Sequence, residues 1–99
     1  MIGVDLVHIP AFSEKMKDEV LLARMFTEQE LAYAKGSIET LAGIFATKEA
    51  YFKAVKKTPE WHAIEVVHDP DGAPVLQCEE PAETSISHDG AYAVAVVMV

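Results

Sequence analysis

The chain has 99 residues, which argues for one domain over residues 1–99, thin in margin but able to bury a core. At 51% apolar it is not a disordered chain, and that fraction is generous for so small a monomer, so some apolar surface is expected at a subunit interface. A net charge of −8 argues against general nucleic-acid or anionic-membrane binding, both of which need a basic face, and suits a site that collects divalent cations. The one cysteine, Cys78, rules out an internal disulfide and reads as a small half-buried side chain rather than a nucleophile. The start, Met1 to Asp5, lacks a basic segment and carries an acid in its apolar stretch, unlike a secretory signal. No run approaches the roughly 20 apolar residues of a membrane span. The expected location is cytoplasmic.

Residues 2–9 read as a buried strand carrying two polar side chains, closed by Pro10. Over 11–25, Phe12, Met16, Val20 and Ala23 recur at helical spacing, predicting one amphipathic helix with Lys15, Lys17, Asp18 and Glu19 on its other faces. Thr27-Glu28-Gln29-Glu30 is a capping box opening a short helix that stops near Gly36. Residues 38–57 make the strongest helix. Leu41, Phe45, Phe52 and Val55 form its stripe, and Ala42, Ala46, Ala50 and Ala54 allow close packing. Lys53, Lys56 and Lys57 suit its C-terminal end, and Pro59 forbids continuation. The rest reads as strands: 61–67, a turn at Asp69-Pro70-Asp71-Gly72, 74–77, then 84–88 and 92–99 around a two-residue turn at Asp89-Gly90. The predicted fold class is α+β, an antiparallel meander packed against one long helix.

Three features can carry chemistry. Asp5 interrupts an apolar strand, where an uncompensated carboxylate costs several kcal/mol; it is either a metal or catalytic ligand or a hydrogen-bonded structural acid. Glu49 and Lys53 lie four apart on one helix face with Phe45, as a half-buried functional pair or as a solvated ion pair worth a few tenths of a kcal/mol. Ser85-Ile86-Ser87-His88 ends a strand beside a tight turn, with Ser85 and Ser87 facing one way and His88 the other, as a binding edge or only a polar rim. No Gly-rich phosphate loop, Cys/His cluster or nucleophile elbow is present in the sequence.

The order of these segments is more specific than any one of them. Gly3-Val4-Asp5-Leu6-Val7 comes first, then Met25-Phe26-Thr27-Glu28-Gln29-Glu30, then Phe45-Ala46-Thr47-Lys48-Glu49-Ala50-Tyr51-Phe52-Lys53, and finally Ser85-Ile86-Ser87-His88. This series resembles the holo-acyl-carrier-protein synthase group of the 4′-phosphopantetheinyl transferases over nearly the whole chain. The resemblance implies the fold of that superfamily and a magnesium-dependent transfer of the phosphopantetheine arm of coenzyme A to a carrier-protein serine, releasing adenosine 3′,5′-bisphosphate. It implies Asp5 and Glu49 as metal ligands, Glu49 as a base, and Lys53 beside the reacting phosphate. It assigns Ser87 and His88 to coenzyme A binding from a neighbouring subunit of a homotrimer. Lys15, Lys17 and Arg24 become the basic patch for an acidic carrier protein.

The chain also departs from the family. Ile44 stands where an arginine usually helps hold the 3′-phosphate of coenzyme A, a task left to Lys48, Lys56 or Lys57. The segments 56–60 and 76–85 are shorter than usual. These departures leave a second reading, a degenerate module that binds coenzyme A or a carrier protein without turnover.

Overall fold

A computed structural model describes residues 1–99 as five strands and four helices. In chain order these are β1 (Ile2–His8), α1 (Ile9–Lys15), α2 (Glu19–Met25), α3 (Glu28–Ala34), α4 (Ile38–Val55), β2 (Glu65–His68), β3 (Pro74–Gln77), β4 (Glu83–Asp89) and β5 (Tyr92–Met98). The long helix α4 is the hub. On one side it packs against β1, β5 and β4, and elsewhere against α1, α3 and β2.

Small side chains set the spacing between helix and sheet. Ala42, Ala46, Ala50 and Ala54 recur every four residues along α4 and are buried, and Ala93, Ala95 and Val97 alternate along the facing side of β5. The closest approach is at Gly3, where a Cβ would stand 1.8 Å from the Ala50 carbonyl oxygen. Only glycine lets the β1 backbone lie this close to α4.

The expected α+β class, with an antiparallel sheet around one long helix, stands, but three details differ. There is no single meander: β1-β5-β4 form one antiparallel sheet and β2-β3 a separate hairpin. The strand predicted over 61–67 is observed over Glu65–His68, four residues later at its start and one later at its end. The predicted helix over 11–25 is two helices. Pro10 sits in the first turn of α1, where its missing N–H costs nothing, and the Asp18 side chain accepts from the N–H groups of Val20 and Leu21 to start α2. The β4-β5 turn falls one residue later than predicted. Asp89 pairs with Tyr92, so Gly90 and Ala91 form the loop, and Gly90 at φ 57° supplies the left-handed first position.

Candidate functional site

The pleat of β1 turns Gly3, Asp5 and Val7 towards α4 and leaves Ile2, Val4 and Leu6 outside. Asp5 thereby meets the helix face that carries Glu49 and Lys53. Its side chain is only 13% exposed, and Lys53 Nζ donates to Asp5 Oδ1 at 2.7 Å and to the Val4 carbonyl at 3.2 Å. The partner of Lys53 is therefore Asp5, across the strand–helix interface, and not Glu49 on the same helix. Burial pushes the Glu49 carboxyl above its ordinary range and the Asp5 charge adds to this, with Lys53 opposing both.

All three side chains line one cavity of about 630 Å³, whose remaining wall is largely apolar and includes Phe12, Met16, Met25, Phe45 and Trp61. Two hard carboxylates that repel each other over a half-buried pocket fit a magnesium ion, which is commonly held by one or two carboxylates with phosphate and water completing the shell. A divalent cation between the two acids would offset the Asp5 part of that rise, which is the lesser part beside burial.

Of the basic residues expected to form a docking helix, Lys15 and Arg24 line this same cavity from two different helices, whereas Lys17 pairs with Glu14 at 2.9 Å. His88 and Ser87 do not reach it. Ser87 lies on the outer face of the sheet opposite Val94. His88 points inward, its Nε2 at 2.9 Å from the Glu39 carbonyl oxygen, into a smaller cavity of about 250 Å³ beside Gly43, Ile44 and His68. Ile44, expected at a ligand surface, is 1% exposed and belongs to the core.

Lys48 requires a correction. It was expected to contact coenzyme A, yet its side chain is fully enclosed and its ammonium is bound by Glu30 at 2.6 Å and by the carbonyls of Trp61 and Met25. A ligand cannot reach it without breaking all three. The signal was present in the sequence, because Lys48 falls four residues from both Ile44 and Phe52 on the buried side of α4. Glu30 and Trp61 were not singled out as site-related by sequence reasoning. Glu30 showed only as half of a capping box, and Trp61 as the start of a strand. Cys78 is half-buried, donates to the Glu80 carbonyl and has its thiol pushed up by burial, as suits an unreactive cysteine.

The family model of the 4′-phosphopantetheinyl transferase superfamily matches residues 1–97. The holo-[acyl-carrier-protein] synthase of Geobacter sulfurreducens is 36% identical over 118 aligned residues, covering 98% of this chain and 94% of that protein. Among solved structures, the Helicobacter pylori holo-[acyl-carrier-protein] synthase in complex with coenzyme A superposes with a TM-score of 0.91 at 29% identity, covering 98% of this chain and 97% of that one. The Bacillus anthracis holo-(acyl-carrier-protein) synthase, in complex with CoA (3′,5′-ADP), is 38% identical with a TM-score of 0.84 over 97% of this chain and 91% of its own.

Proposed function

The chain belongs to the 4′-phosphopantetheinyl transferase superfamily, and from that premise we propose that it works as a holo-[acyl-carrier-protein] synthase with Asp5, Glu49 and Lys53 as its reactive centre. The observation that carries this reading is the convergence of those three side chains from β1 and α4 in one cavity.

The hydroxyl oxygen of a carrier-protein serine attacks the pantetheine-bearing phosphorus of coenzyme A. A new P–O bond forms, the bond to the other phosphate of the pyrophosphate breaks, and adenosine 3′,5′-bisphosphate leaves. The serine proton goes to Glu49, directly or through one water, since its carboxylate lines the cavity beside Lys53. Lys53, held against the β1 edge by Asp5, offsets charge building on the transferred phosphate. Asp5 and Glu49 would hold a magnesium ion, which when bound supplies charge neutralisation at the pyrophosphate.

The outer face of the sheet supports self-association. Ile2, Val4 and Leu6 on β1 and Val96 and Met98 on β5 are all exposed large apolar side chains, and they stand in register on neighbouring strands. A contiguous apolar face of this kind marks an interface. Ser87 shares that face and His88 lies away from the reactive centre, as a site completed between subunits of a homotrimer requires. Lys15 and Arg24 at the cavity suit an acidic carrier protein, and the unpaired Cys78 agrees with a cytoplasmic setting.

The test is incubation with apo carrier protein, coenzyme A and magnesium, read by mass spectrometry. A gain of one phosphopantetheine group is expected, lost in Asp5→Ala and Glu49→Ala and kept in the exposed Glu28→Ala. Coenzyme A binding without mass gain over a panel of carriers would favour the binding-only module, which the burial of Ile44 in the arginine's place would then explain.

A further inference from the structure

Lys48 directly precedes Glu49, and its side chain is entirely enclosed. Its three ammonium protons meet Glu30 Oε1 at 2.6 Å, the Trp61 carbonyl at 2.8 Å and the Met25 carbonyl at 3.1 Å. Glu30 is just as enclosed. Its Oε1 also accepts from the Thr27 N–H at 2.9 Å and its Oε2 from the Val66 N–H at 2.8 Å. The network is saturated. Buried ion pairs of this kind rarely add stability over a well-packed apolar pair, so the pair is better explained by the geometry it imposes.

That geometry is specific. Met25 ends α2, where a helix leaves its last carbonyls without internal donors, and Lys48 supplies the missing donor. Trp61 lies in the turn before β2, and its ring packs against Phe45 and Phe52 of α4. Both Met25 and Trp61 line the cavity of Asp5, Glu49 and Lys53, together with the cations Lys15 and Arg24. One ammonium, next in sequence to Glu49, thus ties two separate wall segments to the helix that bears the reacting groups.

We propose that Lys48 and Glu30 are positioning residues for carrier-protein recognition, holding Met25 and Trp61 as an apolar wall beside Lys15 and Arg24, against which the carrier docks. This rests on the transferase reading above. The wall lies apart from the cavity of His88, the residue the family resemblance assigns to coenzyme A, so on that reading the nucleotide end binds independently of the wall.

The experiment compares Lys48→Met, the double variant Glu30→Gln/Lys48→Met, and the exposed Gln29→Ala as control. Thermal melts establish which variants are folded at the assay temperature. Trp61 is the only tryptophan, so its emission and acrylamide quenching report the wall directly. In folded variants the KM for the carrier rises by roughly tenfold or more, kcat falls less, and the tryptophan emission moves to the red with stronger quenching, while the affinity for adenosine 3′,5′-bisphosphate is unchanged. An unchanged carrier KM, or a parallel loss of bisphosphate affinity that marks general loosening, overturns the proposal. If neither pair variant folds, Met25→Ala, which removes part of the wall and leaves the pair intact, must raise the carrier KM alone or the proposal falls. If the wild type transfers nothing, the transferase reading fails, whereas an unmoved tryptophan emission in a folded Lys48→Met defeats the positioning claim itself.

Discussion

Gly3→Ala tests the link between packing and catalysis most directly. The added methyl would stand 1.8 Å from the Ala50 carbonyl oxygen, 2.8 Å from its carbonyl carbon and 2.9 Å from the Ala54 nitrogen, all backbone atoms of α4 that no rotamer change can move. Ordinary contact begins near 3.4 Å, so strand and helix must separate by about 1.6 Å at this point. Overpacking of this severity sits at or above the upper end of the usual ~1–3 kcal/mol. For a domain of this size, ~3 kcal/mol corresponds to a fall in Tm of roughly 12–24 °C. The same displacement acts on chemistry, because Asp5 is two residues from Gly3 and Glu49 adjoins Ala50. It pulls Asp5 from Lys53, now 2.7 Å apart, and a misplacement of ~1 Å can cost about 100-fold in rate. Differential scanning calorimetry and mass-spectrometric transfer assays below the melting point separate the two effects. Ala50→Gly added to Gly3→Ala should rescue neither, since the clash is with the carbonyl and not with the Ala50 methyl. A Gly3→Ala protein that melts within about 2 °C of wild type and keeps full turnover would refute this account of the strand–helix contact.

Two further outcomes follow from the same geometry. Glu49 has a folded-state pKa raised above 4.5, so its contribution to stability is present below that pH and is lost as pH rises through the folded value. Metal-free Glu49→Gln should therefore melt above wild type at neutral pH, with the gap closing towards pH 4.5, even as transfer is abolished; a variant that melts lower at neutral pH contradicts the shift. On the exposed sheet face, Val96→Lys should leave the fold within about 0.5 kcal/mol of wild type yet release subunits, seen by sedimentation, and lower transfer with it; unchanged sedimentation would mean the face is not the interface.

Local signals in the sequence reached local structure well. The Thr27–Glu30 capping box forms with both of its bonds, and α4 runs over Ile38–Val55 within the predicted span. What escaped was set by partners distant in sequence. Asp18 looked like one more charge on a helix face until its side chain was seen to start a second helix. Glu30 reads as a cap because the bonds to Lys48 and Val66 span 18 and 36 residues. Asp5 and Glu49 were each ambiguous alone, since their meaning lies in a strand–helix contact that depends on Gly3. Lys48 went wrong because charge was weighed above position, although its place on the buried side of α4 was legible. The paired apolar face of β1 and β5 was foreseen only as a surplus of apolar residues, since composition does not say which side of a sheet holds them.

The strand order also has a consequence for how the molecule comes into being. β5 is the middle strand of its sheet although it is the last element of the chain, and it pairs Met98 with Ile2 across almost the whole sequence. Such non-local pairing closes slowly, on the ms–s scale typical of sheet-rich domains. While β5 is being synthesised, β1 has no hydrogen-bonded neighbour and the alanine stripe of α4 has no sheet to cover it. Asp5, carried on β1, is then held beside Glu49 only once that final strand has arrived. The reactive centre therefore waits on β5, and a chain cut before Tyr92 should be inert even though Asp5, Glu49 and Lys53 are all present in it.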